Sequence, residues 1–151
     1  MKLSLYSDYA LRIMIHLAAH PGRLASIGEI AQLYGVSRNH LMKIVQDLAR
    51  AGFVQTLRGR GGGIRLGRPA EQIRLGQLIR HTEGGGPLVD CSTCLIATAC
   101  NLPPVFAEAM DAFLAVFDRY SLADMVASGD ELRLLFSPGE DSPPCPKPTG
   151  S

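Results

Sequence analysis

The first fifty-two residues repeat one local pattern three times: a serine, an amphipathic run at helical spacing, then a glycine. Ser7 is placed to cap a helix reaching His20, with Asp8 in the first turn, where a carboxylate meets the positive helix end. Leu11, Met14, Ile15 and Ala18 form its apolar stripe, and Pro21–Gly22 closes it. Ser26, with Glu29 three residues on, has the form of a capping box for a second helix that buries Ile27, Ile30, Ala31 and Tyr34 and stops at Gly35. Ser37 is placed to cap a third helix to Arg50, buried along Leu41, Ile44, Val45 and Leu48 and ended by Gly52. Two short strands follow, FVQTL and GIRL, joined by the arginine-bearing glycine run RGRGGG.

Helix, short turn, helix and hairpin, in that order, is the plan of a winged helix-turn-helix. The fold class expected is therefore mainly α. The third helix would be the recognition helix, presenting Ser37, Arg38, Asn39 and His40 in its first turn and Lys43 one turn on. Arginine suits guanine, asparagine suits adenine, and a serine hydroxyl suits phosphate. Arg58 and Arg60 at the hairpin tip suit a narrow, A·T-rich minor groove. Taken singly, each is an ordinary solvated side chain; it is the joint pattern that points to double-stranded DNA.

The charge is divided to match. The net charge of +1 conceals +8 over residues 1–80, from twelve Lys/Arg and four Asp/Glu, and −7 over residues 81–151, from three Lys/Arg and ten Asp/Glu. A basic half favours a polyanionic partner modestly. No apolar run reaches the ~18 residues of a membrane span. The segment MKLSLYSDYALR lacks the apolar stretch of a secretory signal. A cytoplasmic protein with no membrane partner is expected.

Three cysteines, Cys91, Cys94 and Cys100, then fall within ten residues, in DCSTCLIATAC. In a reducing compartment such a cluster favours metal or redox chemistry over structural disulfides. Three thiolates are one short of the set that a zinc site or an iron–sulfur cluster takes. CSTC also has the form of a dithiol redox motif. Those motifs open a helix after a strand, whereas here the preceding GGGP breaks the chain. With no other catalytic constellation, an enzyme is not expected. Cys145, in PPCPKP, reads as an incidental thiol.

Beyond the hairpin, Pro69 opens a segment that returns to helix over residues 75–82. Pro103–Pro104 start a long helix in which Phe106, Met110, Phe113, Phe117 and Tyr120 recur at heptad-like steps. The remaining chain offers little to cover that stripe, so it is expected to pair with a second subunit. A short helix around Leu122–Ala127 precedes the Pro-rich end.

The segments LYSDYALRIMIHLA, GVSRNHLMKIVQDLARAGFV and RGRGGGIRLGRP, the cysteine run and YSLADMV together resemble the IscR-like family of winged-helix iron–sulfur repressors, and most closely its nitric-oxide-sensing members. The resemblance spans residues 1–128. It implies a homodimer on a palindromic operator, regulated through an iron–sulfur cluster held by Cys91, Cys94 and Cys100. A 4Fe–4S cluster is the form implied, with 2Fe–2S the alternative. IscR-like members place a histidine soon after the third cysteine. Here NLPPVFAEAM follows, and His81 is the last histidine. The nitric-oxide-sensing members can take an aspartate from the partner's first helix, a position matched by Asp8. The local alternative for Asp8 is a surface pair with Arg12. A redox- or iron-responsive regulator and a zinc- or thiol-based one remain the alternatives. The organisation expected is a winged helix-turn-helix over 1–83, a cluster-binding loop over 84–102, dimerisation helices over 103–128 and a flexible Pro-rich tail over 129–151.

Overall fold

The computed structural model describes residues 2–137; the Pro-rich end and Cys145 lie outside the described residues. The element order is α1 (Leu5–Ala19), α2 (Ile27–Tyr34), α3 (Arg38–Arg50), β1 (Val54–Leu57), β2 (Gly63–Leu66), a 3-10 turn (Ala70–Gln72), α4 (Leu75–Glu83), α5 (Leu102–Asp118), α6 (Leu122–Met125) and α7 (Gly129–Phe136). The mainly helical winged helix-turn-helix is as the sequence predicts. Residues 129–136, assigned from sequence to the tail, form α7. Among the described residues no helix is long and apolar enough to cross a membrane.

Helix α1 is the central element, packed against α3, α4, α6, α7 and β2. Ala10, Ile13, Met14 and Leu17 recur at helical spacing and are buried. They meet Ile30 from α2, Leu41, Ile44 and Leu48 from α3, Ile64 from β2 and Leu78 from α4 in a single core. Each fully buried aliphatic side chain contributes roughly 1.5–3 kcal/mol relative to exposure.

The caps differ from the sequence expectation at two helices. Ser4, not Ser7, caps α1, its Oγ accepting the Ser7 N–H at 3.1 Å. Ser7 is fully buried and turns its hydroxyl toward α4. Ser26 caps α2 as expected, accepting from the Glu29 N–H at 3.0 Å. The Glu29 carboxylate, however, is bound by Arg23 at 2.8 Å. Ser37 stands at the N-terminus of α3 but makes no side-chain capping bond. The turn between α2 and α3 needs a left-handed residue, and Gly35 supplies it with φ 63°.

The wing is an antiparallel pair in which Val54 faces Leu66 and Leu57 faces Gly63. Ala25, between α1 and α2, exchanges backbone hydrogen bonds with Ile64 at 3.0 and 2.8 Å. That approach needs a glycine beside it: a Cβ on Gly63 would lie 2.7 Å from the Ala25 carbonyl oxygen.

Backbone bonds also tie the winged helix to the C-terminal helices. Leu75 N–H donates to Tyr120 O at 3.0 Å and Leu122 N–H to Ile73 O at 2.8 Å. Arg80 on α4 binds Asp118 on α5 through both nitrogens, at 2.6 and 2.7 Å. Gly76 leaves room for that carboxylate. The aromatic stripe of α5 is largely turned onto its own chain: Phe106, Met110, Phe113 and Phe117 are half-buried. Phe113 and Phe117 stack edge-on at 5.0 Å. The large apolar side chains that α5 leaves exposed are Leu102, Val105 and Val116, and Tyr120 just beyond its end is exposed too.

His16 is 1% exposed on α1, against His20 and Phe136, and among the described residues neither ring nitrogen has a hydrogen-bond partner. Burial, then the neighbouring His20, pushes its pKa from 6.5 down to about 4, although Glu29 opposes the shift. The unfolded chain therefore takes up this proton at higher pH than the folded one. The associated stability is complete above pH 6.5 and is lost as pH falls toward about 4. Replacing His16 with Leu is expected to flatten the fall in unfolding free energy across that window, measured by denaturant unfolding at several pH values.

Candidate functional site

Two surfaces carry chemistry. The first is basic. Helix α3 buries Leu41, Ile44, Val45 and Leu48, so helical geometry turns Arg38, Asn39 and Lys43 outward, and all three are exposed. Ser37 is exposed with its hydroxyl uncommitted to the cap. The free first-turn N–H groups of α3 point out of its N-terminus beside Ser37, which suits a phosphate. His40 is placed differently: it is half-buried and edge-on to Tyr9 of α1 at 5.4 Å. Arg58 and Arg60 are exposed at the wing tip on either side of Gly59 at φ 100°, and Gly61 at φ 75° follows Arg60.

Arg38, Lys43, Arg58 and Arg60 make no ion pair among the described residues, whereas three nearby acids are engaged. Asp8 pairs with Arg12, and Glu29 with Arg23. Asp47 accepts the Tyr6 hydroxyl at 2.5 Å and His81 Nε2–H at 2.8 Å. The Tyr6 hydrogen bond, reinforced by His81 and opposed by burial, holds the Asp47 carboxyl below its usual range. Burial and Asp47 push the Tyr6 hydroxyl well up. This junction joins α1, α3 and α4.

Sequence reasoning overlooked Arg65 and Arg68. Arg65 is exposed on β2 and donates to its cross-strand partner Gln55 at 2.8 Å. The signal was present: alternation in GIRL puts Arg65 opposite buried Ile64. Arg68 lies over the Phe53 ring at 4.9 Å, a contact that sequence spacing does not show.

The second surface is the cysteine loop between α4 and α5. Asp90 Oδ1 accepts the Ser92 N–H at 2.9 Å, and successive turns carry Cys94 N–H to Cys91 O at 3.3 Å and Ala97 N–H to Cys94 O at 3.2 Å. Cys91 and Cys100 are half-buried, Cys94 is exposed, and all three are free thiols. The Leu102 N–H points at Cys100 Sγ, 3.4 Å away. A groove of about 650 Å³ runs between the loop and α5, walled by Leu88, Val89, Cys91, Phe106 and Met110. Such a donor set, soft thiols with an N–H directed at one sulfur beside an apolar wall, fits an iron–sulfur or zinc centre.

Among the described residues no three His, Cys, Asp or Glu side chains converge to hold a metal ion. The structure puts the three thiols on one loop but leaves Asp8 on α1, paired with Arg12 at 3.0 Å, and His81 on Asp47.

The sequence was compared with known proteins. Residues 3–128 match the family model Rrf2, described as an iron-dependent transcriptional regulator. The HTH-type transcriptional regulator NsrR of Bacillus subtilis is 45% identical over 142 residues, covering 90% of this chain and 97% of that protein. Among solved structures, T. potens IscR is similar with a TM-score of 0.70 and 28% identity, covering 88% of this chain and 91% of that one. The oxidized form of Staphylococcus aureus CymR is similar with a TM-score of 0.69 and 30% identity, covering 84% and 97%.

The three thiols differ in access. In the metal-free protein Cys94 is expected to be alkylated by iodoacetamide several-fold faster than Cys91 and Cys100. Peptide mass spectrometry on a time course checks this; equal rates would mean that the loop does not hold the described form.

Proposed function

The chain belongs to the Rrf2 family of transcriptional regulators, and we propose that it is an iron–sulfur repressor released from its operator by nitric oxide. The observation that carries this reading is the loop bearing Cys91, Cys94 and Cys100, joined to a basic winged helix-turn-helix with outward Arg38, Asn39 and Lys43. The likeness to NsrR and IscR supports it.

In this proposal the protein acts in the cytoplasm as a homodimer on palindromic DNA. The exposed residues Leu102, Val105 and Val116 of α5 meet the second subunit. The first turn of each α3 enters a major groove, where Arg38 and Asn39 reach base edges and Ser37 and Lys43 hold phosphates. Arg58 and Arg60 enter the flanking minor groove. His40, already packed on Tyr9, supports α3 from behind.

Cys91, Cys94 and Cys100 would hold the cluster, 4Fe–4S in the preferred form, and Asp8 of the partner subunit would complete it. When bound, the cluster supplies iron that reacts with nitric oxide. For Asp8, ligation means leaving Arg12. That exchange is inexpensive, because a partly exposed i,i+4 ion pair contributes only about 0.3–0.5 kcal/mol. A carboxylate among thiolates is also the ligand most readily given up. Asp8 would then return to Arg12, in the arrangement seen here. Because Asp8 stands in the first turn of α1, holding or freeing it would change how α1 is held, and α1 is tied to α3 through the Tyr6–Asp47 bond.

The test is an anaerobic absorption spectrum, with operator binding measured before and after nitric oxide. A brown protein whose operator affinity falls at least ~10-fold on exposure is the expected result. Unchanged binding would remove nitric oxide as the signal. A colourless protein holding zinc would remove the cluster.

Lys43→Ala, which removes a phosphate contact, is expected to weaken operator and unrelated DNA alike, and to lower the slope of log affinity against log salt by about one. Fluorescence anisotropy over a salt series reads both quantities.

A further inference from the structure

The last turn of α4 does more than end a helix. The Glu83 Oε1 oxygen accepts the Ser4 N–H at 2.8 Å and the Ser4 hydroxyl at 2.9 Å, and it also takes the hydroxyl of Ser7. Ser7 is completely buried, and its hydroxyl also lies 2.7 Å from Thr82 Oγ1; with one proton to give, it favours the charged acceptor. A carboxylate is thus set on the positive end of α1, supplied from another helix. Burial raises the Glu83 carboxyl, but the bonds from Ser7 and Ser4 outweigh it and leave it below its usual range. Two residues earlier, His81 binds Asp47 on α3.

Immediately after Glu83 come Gly84 at φ 72° and Gly85 at φ 62°, the start of the cysteine loop. The base of that loop is therefore the same short turn that grips both α1 and the recognition helix. The first turn of α1 also carries Asp8.

We propose that Glu83 is a positioning residue that latches the first turn of α1 to the base of the cysteine loop, so that the orientation of the winged helix follows the state of that loop. This rests on the cluster-dependent DNA binding proposed above and names the route by which the cysteine site reaches α3. A surface carboxylate of this kind adds little to global stability. Its contribution is directional: without it, Ser7 and the N-terminus of α1 lose their only charged acceptor among the described residues, and the first turn of α1 is no longer tied to α4.

Two measurements test the latch. Amide hydrogen exchange in the metal-free protein reads the first turn of α1. Operator affinity of the cluster-loaded and metal-free forms reads the coupling. In Glu83→Ala the Ser7 and Asp8 amides are expected to exchange ~10-fold faster or more, with the centre of α1 unchanged. The ratio of the two operator affinities is expected to fall toward one, losing at least ~5-fold. Glu83→Gln keeps an acceptor oxygen and is expected to restore part of both effects. Ser7→Ala supplies a second break in the latch should Glu83→Ala fail to fold.

If the wild type shows cluster-dependent affinity and Glu83→Ala keeps it, the latch is wrong while the proposed function stands. Unchanged exchange in the first turn also overturns the latch. If the wild type shows no cluster-dependent affinity, the proposed function fails and the coupling falls with it.

Discussion

Burial of α1 is the constraint on which the other elements depend. Its apolar stripe, Ala10, Ile13, Met14 and Leu17, is covered on different sides by the helix-turn-helix, the wing, α4 and the C-terminal helices. Close-packed interiors pass displacements on instead of absorbing them. Moving α1 therefore moves the surface that carries the recognition helix. Its two ends are held differently. The C-terminal end meets α7 through packing of His16 and His20 on Phe136 and a bond from Arg133 to Ala19 O at 2.8 Å. The N-terminal end is held by polar contacts, from Glu83 to Ser4 and Ser7. A few directional bonds can be broken at smaller cost than a packed face. The N-terminal end, where Asp8 stands, is accordingly the end suited to regulation.

Polar organisation separates the two surfaces. Of the four acidic residues before residue 81, three are engaged by a neighbour: Asp8 by Arg12, Glu29 by Arg23 and Asp47 by Tyr6 and His81. The arginines and lysine expected to meet DNA are left outward and uncompensated. Half of the +8 over residues 1–80 lies on α3, where Arg38, Lys43 and Arg50 outnumber Asp47, and at the wing tip, with Arg58 and Arg60. The acidic half follows the opposite logic, with Asp118 clasped by Arg80 so that α5 stays against α4 and walls the cysteine groove.

Much of the fold was legible because local signals agreed with one another. Helix spacing, stop glycines and the RGRGGG turn each matched the element that formed. The errors were errors of partner. Ser7 has the form of a cap, yet it is buried against α4 while Ser4 takes the cap; the deciding contact is with residues 82 and 83, far along the chain. Within the chain, Phe106 and Met110 of the α5 stripe wall the cysteine groove and Phe117 packs against the core, contacts that spacing along α5 does not show. Periodicity locates a stripe on a helix but cannot say which neighbour covers it. The thiol donors were visible in their spacing. The Tyr6–Asp47–His81 junction was not, because its three members come from three helices.

By itself the sequence determined the winged helix-turn-helix, the outward Arg38, Asn39 and Lys43, and the placing of three thiols on one loop. These follow from helical period, turn chemistry and short spacing, all of which act between near neighbours. Only the tertiary structure decided that the base of the cysteine loop grips the first turn of α1 and the flank of α3. That decision needed α4 to be packed beside both helices, because hydrogen bonds reach about 3 Å and join residues only after the core has brought them together.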